Sequence, residues 1–251
     1  MNVMRSSLWP GLINTYINNL NNGEENQKLF EVGSVFKKDK KGNVREILQV
    51  GGLISGKAMT LHWKVKPSAL DFYNLKGDLE SLFINFRKEV TFESASSSLL
   101  HPGKSAKIKL GGKVIGEIGS LHPGAMNQKD LKGEVLVFAL DLEMLIPNKN
   151  IKYKNFSRYP VSQRDLAFIV EASKSNSEII KLIKSKAGKE LVEIKTFDVY
   201  QGDNVPEGKK SIAFNLKWQS LSKTLVDEDV DRAVEEIVNF LSKKIKAELR
   251  S

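Results

Sequence analysis

Histidine, serine, glycine and acidic side chains carry most of the chemistry a soluble protein can do, and each group is testable by spacing. The three histidines are His62, His101 and His122. His101-Pro102-Gly103 and His122-Pro123-Gly124 repeat one tripeptide, but the interval brackets a hairpin and no HExxH or HxxxH face exists. With cysteine absent as well, a zinc site is disfavoured, and each His-Pro-Gly reads as a turn. Ser96-Ser97-Ser98 has no GxSxG elbow around it, so a catalytic triad lacks its nucleophile. Gly51-Gly52 and Gly111-Gly112 are isolated pairs outside any GxxxxGK[ST] or GxGxxG pattern; they read as turn or strand-packing glycines. Asp71, Asp78 and Glu80 lie on or near one helix and could form a metal or acid-base pair, but solvated helix charges are the default reading.

The carboxy-terminal strands are more informative. Ile212, Phe214, Leu216 and Trp218 alternate with Ser211, Ala213, Asn215 and Lys217, so the apolar set should face helices and the polar set outward. On the preceding strand Lys195 and Phe197 share one face, Thr196 and Asp198 the other. An outward Phe197 beside Lys195 makes a base-stacking platform with a phosphate contact; a bulge would turn the ring into the core instead. The aromatic-rich strand motif of an RRM is missing.

These strands belong to a simple order of elements. Strand Arg164–Val170, helix Ser177–Ala187, strand Leu191–Tyr200, strand Lys209–Gln219, helix Asp227–Lys246 and a short strand Ala247–Arg250 make βαββαβ. That order is the ferredoxin-like split βαβ unit, an antiparallel sheet with both helices on one face and the other face open. Ser177 and Asp227 are expected N-caps and Gly188 a C′ residue. Earlier in the chain, apolar spacing predicts a helix over 5–22 and another over Asp71–Lys88. Strands are expected at Lys28–Phe36, Glu46–Ile54, Ser105–Leu110, Lys113–Gly119 and Leu131–Leu140, with a short helix or turn at Asp141–Ile146. The polar stretch Pro147–Asn150 reads as a linker.

Composition sets the outer bounds. The chain has 251 residues, 41% hydrophobic and 27% charged, an ordinary globular balance that excludes disorder, collagen and coiled coil. The length suggests about two domains at roughly 150 residues each. Apolar runs such as Val135–Leu140 are strand-sized, far short of the ~20 residues of a bilayer span. The absence of cysteine fits a reducing cytoplasm. The net charge of +9 suggests an anionic partner, although a solvated lysine-rich surface accounts for it equally. Residues 1–155 carry 22 Lys+Arg against 15 Asp+Glu, and residues 156–251 carry 17 against 15.

Tyr159-Pro160, Arg164-Asp165-Leu166-Ala167, Phe197–Gly202, Pro206–Ser211 and Leu225 with Asp227–Val230 resemble the ferredoxin-fold anticodon-binding domain of bacterial-type phenylalanyl-tRNA synthetase beta subunits. Met4–Leu12, Leu29–Gly33, Asp71–Gly77 and His101–Ala106 are similar, in colinear order, to the catalytic-like module of the same subunits. The resemblance implies an α+β chain. A class II synthetase-like antiparallel sheet module over 1–147, truncated at its start, is followed by a linker over 148–157 and the anticodon-binding domain over 158–251.

The same resemblance implies a non-catalytic scaffold. Arg5 and Phe30-Glu31 stand near where a class II motif would place its arginine and acidic residue, but the aminoacylation set is incomplete, so no catalytic and no metal-ligating residue is expected. The implied partners are the alpha subunit, in an α2β2 enzyme, and tRNA-Phe. No cofactor is expected in this chain; ATP and Mg2+ belong to the complex. The family's beta subunits are much longer, which implies a piece of a larger subunit with Met1 internal. Candidate RNA contacts are Arg158 and Arg164 at the domain entry, Lys195 and Phe197 on the second strand, and Lys209, Lys210, Asn215 and Lys217 around the third. The modest charge of residues 156–251 predicts weak, salt-sensitive binding in isolation. A stand-alone ferredoxin-like RNA-binding or protein-interaction module is the competing expectation.

Overall fold

The computed structural model describes residues 4–39, 41–58, 63–84, 90–145 and 156–250. His62, most of the expected linker and the end of the helix expected over Asp71–Lys88 lie outside them. The chain divides into two compact units, Met1–Asn150 and Ile151–Ser251.

Unit 1 is built on a six-stranded antiparallel sheet in the order β1-β2-β6-β5-β4-β3. Its strands are β1 (Gln27–Lys38), β2 (Val44–Ser55), β3 (Val90–Ser94), β4 (Leu100–Leu110), β5 (Lys113–Leu121) and β6 (Val135–Asp141). Neighbouring residues of β2 and β6 feed opposite cores, because successive side chains leave a strand on opposite faces. Leu53, Val135 and Val137 pack with Leu8, Leu12 and Tyr16, while Ile54, Leu136 and Leu140 pack with Leu75, Leu79 and Phe83. Helix α1 (Trp9–Asn21) covers the first face and helix α2 (Phe72–Phe83) the second. The Trp9 indole donates to the Phe138 carbonyl at 2.9 Å, and the Tyr16 hydroxyl lies 3.1 Å from Ser55 Oγ, which fixes α1 on the sheet.

Helix α1 starts four residues later than its apolar spacing predicts. The Arg5 carbonyl accepts from the Phe36 amide at 2.9 Å, so that stretch of backbone is committed to the edge of β1. The Ser7 hydroxyl then receives the Trp9 amide, and Pro10 occupies the first turn. Asp71 is the N-cap of α2 in a reciprocal capping box with Asn74. The first His-Pro-Gly is not a turn between elements. It lies inside β4, where the pairing with β5 slips between Leu100 and Ser105 and Pro102 has no amide to donate. The second caps a short helix, α3 (Pro123–Gln128). Gly111 and Gly112 both have positive φ, +57° and +83°, and make the β4–β5 hairpin turn. The Asp141–Ile146 expectation resolves into a single 3-10 turn over Glu143–Leu145.

Unit 2 contains β7 (Ser162–Glu171), α4 (Asn176–Lys184), β8 (Leu191–Tyr200), β9 (Lys209–Trp218), α5 (Asp227–Ile245) and β10 (Glu248–Leu249). Its sheet runs β10-β7-β9-β8, all antiparallel, and realises the expected βαββαβ order. Leu166, Phe168 and Val170 of β7 and Ile212, Phe214, Leu216 and Trp218 of β9 form one core with the apolar faces of α4 and α5. The caps differ from expectation. Ser175, not Ser177, accepts the Glu178 amide at 3.2 Å. Val226 precedes α5 and Asp227 is its first helical residue, where its carboxylate is engaged by Arg164. Gly188 is not the C′ residue: α4 closes at Ser185, and Gly188, at φ +82°, serves the turn into β8. Three acids open α5 and Lys243 and Lys244 close it, as the helix dipole favours.

Candidate nucleic-acid interface

The open face of unit 2 follows from register. Since Ile212, Phe214, Leu216 and Trp218 point to the helices, their neighbours Ser211, Ala213, Asn215 and Lys217 belong to the other face. Across β7 the same face takes Gln163, Asp165, Ala167, Ile169 and Glu171, which pair with Lys217, Asn215, Ala213, Ser211 and Lys209. On β8 the ladder slips between Thr196 and Asp198, leaving Phe197 as the extra residue of a bulge. Lys195 therefore pairs with Asn215, Asp198 with Ala213, and Tyr200 with Ser211. The centre of the face is small, made of Ala167, Ala213 and Ser211, and two rings stand beside it. Phe197 is 54% exposed and Tyr200 38%.

The bulge corrects one reading of the strand. Simple alternation separates Lys195 and Phe197 from Asp198, whereas the extra residue shifts the parity and brings Asp198 and Tyr200 to the open face as well. The same shift leaves Phe197 exposed rather than turned into the core. Tyr200 was missed because its parity depends on that shift.

The charged candidates separate into two groups. Lys195 is exposed on the open face. Lys209 is there too, with Nζ 2.7 Å from Glu248 Oε1, and that hydrogen bond raises the pKa of the ammonium. Lys217 Nζ lies 2.5 Å from Glu193 Oε2, which holds the Glu193 carboxyl below its ordinary value. Asn215 donates from Nδ2 to Asp165 Oδ1 at 2.6 Å.

The structure places Arg164 and Lys210 away from the open face. Both lie on the same face as the helix-facing set, paired with Leu216 and Val170 respectively. Arg164 Nη2 bridges Asp227 Oδ1 at 2.8 Å and Asp231 Oδ1 at 2.9 Å, clamping β7 to the first turns of α5; these carboxylates raise its pKa. Lys210 Nζ donates to the Ala172 carbonyl at 3.0 Å. Neither side chain is presented on the open face. Arg158 is exposed, beside a segment tied to the far end of β9 through Ser157 Oγ to the Ser220 carbonyl at 2.5 Å. It stands about 30 Å along β9 from Lys209, at ~3.4 Å per residue, so the two cannot serve one nucleotide.

Arg250 is the other side chain that sequence reasoning missed. Its amide donates to the Ala167 carbonyl at 2.8 Å, continuing β10 along β7. Its Nη1 reaches Ser211 Oγ at 3.3 Å, and its guanidinium sits 5.8 Å from the Tyr200 ring centroid. The short strand over Ala247–Arg250 is expected from the order of elements, but so few residues carry no periodicity to say which face Arg250 takes.

The unit 1 candidates are occupied by structural partners. His101 and His122 each accept, through Nδ1, the amide two residues on, at 3.0 Å. Asp78 pairs with Lys28 at 2.9 Å, and Glu80 pairs with Lys76. Arg5 donates to Glu31 Oε1 at 2.5 Å and to the Ser34 carbonyl at 2.8 Å.

Comparison with known proteins agrees with this geometry. Residues 1–142 match the family described as "Phenylalanyl tRNA synthetase beta chain CLM domain", and residues 157–250 match "Ferredoxin-fold anticodon binding domain". The phenylalanine–tRNA ligase beta subunit of Legionella pneumophila (strain Paris) is 39% identical over 249 residues, covering 98% of this chain and 31% of that one. Those of Coxiella burnetii and Pasteurella multocida are each 37% identical, covering 100% of this chain and 32% of theirs. The chain thus spans about a third of the length of these curated relatives. With two domains matched in order and relatives aligned along its whole length, the chain belongs to the phenylalanyl-tRNA synthetase beta chain family.

Proposed function

We propose that unit 2 reads the anticodon loop of tRNA-Phe on its open sheet face. The observation that carries this is the pairing of exposed Phe197 and Tyr200 rings with Lys195 and Arg250 on one helix-free surface. Single-stranded loops are recognised by stacking splayed bases on aromatic rings while cations hold the phosphates. Within a phenylalanine–tRNA ligase the beta chain would supply this contact to the ATP-dependent attachment of phenylalanine to tRNA-Phe. A salt titration of binding to a tRNA-Phe anticodon stem-loop, beside the same stem-loop with a changed anticodon, tests it. Tighter binding to the first is expected; equal binding to both would remove anticodon reading from this chain.

Unit 1 is assigned a scaffold role against the alpha subunit of an α2β2 enzyme, in the cytoplasm. Supporting this, Phe30 is 75% exposed and shares one face of the β1–β2 edge with Val32 and Leu48, an apolar stripe suited to burial against another protein. In this reading unit 1 holds neither ATP nor Mg2+. Arg5 is committed to Glu31, Gly51 and Gly52 are closely approached by Leu8 and Phe138, and no metal-holding group of three His, Cys, Asp or Glu occurs among the described residues. Both would then be bound by the alpha subunit.

Carboxylates on the open face limit RNA affinity in this reading. Glu193→Gln frees Lys217 and removes a charge that repels phosphate. The pair is exposed to water and therefore weak, so stem-loop affinity at low salt should rise by no more than about fivefold. The sign with pH is the same. The Glu193 carboxyl is depressed by Lys217, so the pair holds above the ordinary carboxylate range and is lost as pH falls through the lowered value. Fluorescence anisotropy at two salt concentrations checks it, and weaker binding by Glu193→Gln would contradict it.

A further inference from the structure

The excess positive charge of unit 1 is concentrated in one short stretch. Residues 37–45 hold five cations and one acid, and so supply four of the seven excess positive charges of residues 1–155. Apart from Lys40, which lies outside the described residues, they form the far end of the β1–β2 hairpin. The ladder with β6 meets β2 only from Gln49 onward, and the other edge of β1 is last engaged where the Phe36 amide meets Arg5. Among the described residues the tip therefore stands clear of its neighbours as a two-stranded ribbon. Lys37, Lys38, Lys41 and Arg45 are all exposed, and none is in a salt bridge among the described residues. Asp39 is spent on the turn: its carboxylate accepts the Lys41 amide at 2.8 Å and the Asn43 amide at 3.0 Å, with Gly42 at φ +85° between them. The Asn43 amide does most to hold that carboxyl below its ordinary value, and Arg45 adds a lesser pull. Lys37 and Arg45 are direct cross-strand partners, an arrangement that costs stability when both carry the same charge. They share the face of Val35 and Ile47, whereas Lys38 leaves the opposite face and Lys41 sits in the turn.

We infer that this hairpin tip grips base-paired RNA through the phosphates of both strands, without reading sequence. Cations on two faces call for negative charge on two sides. The strands that border a groove of an RNA stem provide it, whereas an acidic patch on a folded protein meets one face only. Lysine contacts phosphate as a point charge, and such contacts position the backbone but specify no base. An A-form helix presents a wide, shallow minor groove edged by phosphates, which the end of a two-stranded ribbon can enter. Repulsion between Lys37 and Arg45 is then relieved by the phosphate they share. The inference goes beyond anticodon reading and does not rest on it, because it gives unit 1 a stem contact of its own.

The experiment measures binding of the full chain to a labelled, loop-free RNA duplex across a salt series. It compares wild type with the fourfold variant Lys37→Gln, Lys38→Gln, Lys41→Gln, Arg45→Gln and with the threefold variant Lys37→Arg, Lys38→Arg, Lys41→Arg. Each duplex phosphate contact contributes about 0.9 to the slope of log affinity against log salt, so the glutamine variant should lose about 2–4 from its magnitude. The arginine variant should keep the slope, and a duplex of scrambled sequence should bind wild type equally well. Hydrogen exchange over residues 27–55 should be no faster in the glutamine variant, since a like-charge pair is removed. A wild-type chain that does not bind the duplex, or a glutamine variant with an unchanged slope, overturns the inference. Faster exchange over residues 27–55 also overturns it, since the cations would then belong to the stability of the hairpin. Poly-glutamate bound as tightly as the duplex at the same salt replaces RNA with an acidic polypeptide as the partner. Failure of the anticodon stem-loop comparison leaves these outcomes untouched, so the two readings fail separately.

Discussion

Phe214→Ala is expected to cost unit 2 about 3–5 kcal/mol, the usual range for truncating a fully buried aromatic ring. Phe214 is buried at the middle of β9, one of the two inner strands of the four, with its ring centroid 6.4 Å from that of Phe168 on β7. Around it stand Ile179 and Ile183 of α4 and Ile237 and Leu241 of α5, all fully buried. An alanine there leaves a cavity against both helices that a β-strand, pinned on both sides by ladder bonds, cannot collapse to fill. Whole domains are stable by about 5–15 kcal/mol, so the loss takes a large share of the total. Hydrogen exchange followed by mass spectrometry should show residues 162–250 losing protection while residues 4–145 keep theirs, since each unit has its own core. A loss under about 1 kcal/mol would show that the ring does not hold the two helices to the sheet.

The consequence for RNA is indirect. Phe214 faces away from the open surface, but its neighbours Ala213 and Asn215 lie on it. A partly unfolded unit 2 should lose stem-loop binding in proportion to its unfolded fraction. Binding measured well below the unfolding temperature should stay close to wild type. That separation distinguishes a core residue from an interface residue on the same strand.

Period-two alternation made β9 legible from end to end, because the strand is covered on one face and paired on both edges, and no bulge interrupts its pairing with β7. Helix α5 was equally plain, since 19 residues give an apolar stripe several turns to repeat. The short strand β3 was not seen: five residues of Val-Thr-Phe-Glu-Ser give alternation too few periods to register, and the strand exists because β4 offers it an edge. The caps slipped by a residue or two for a similar reason. Ser175 and Ser177 are both good cap residues, and what chooses between them is where the helix axis meets the sheet, which no local pattern encodes.

The candidate interface was legible by residue type but not by face. Alternation puts Lys195 and Phe197 on one face but leaves open whether the Phe197 ring stacks outward or packs in the core; both residues are exposed. Arg164 and Lys210 have the same chemistry as any phosphate contact, yet alternation alone already placed them on the helix side, with Leu216 and Ile212. For Arg164 the signal was in the sequence: Asp227 and Asp231 stand one turn apart at the start of α5, a carboxylate pair awaiting a cation. Tyr200 and Arg250 are different. The first needs the bulge at Phe197 to be known, and the second needs β10 to pair with β7, a contact that spans some 80 residues of sequence.

Tyr200→Ala should weaken anticodon stem-loop binding by about 1–3 kcal/mol, the loss found when one aromatic stacking partner of a single-stranded base is removed. At room temperature that is roughly 5- to 150-fold. Unfolding should be almost unaffected, because the ring is partly exposed on the edge strand β8 and takes no part in the buried core of unit 2. Tyr200→Phe tells the ring from its hydroxyl: stacking predicts that phenylalanine keeps most of the affinity, whereas a hydrogen-bonding role predicts a loss close to that of alanine. Phe197→Ala provides the companion measurement. Phe197 lies three residues from Tyr200 along β8, about 10 Å at ~3.4 Å per residue, too far for both rings to cover one base. If each ring stacks a separate base, the two losses should add in the double variant to within ~0.5 kcal/mol. A double variant no weaker than Tyr200→Ala alone would mean that a single nucleotide is held and that Phe197 is exposed for another reason. Neither substitution alters charge, so the salt slope should match wild type in both. A slope that changed with Tyr200→Ala would mean that the ring keeps a cation, Arg250 before any other, in position for its phosphate.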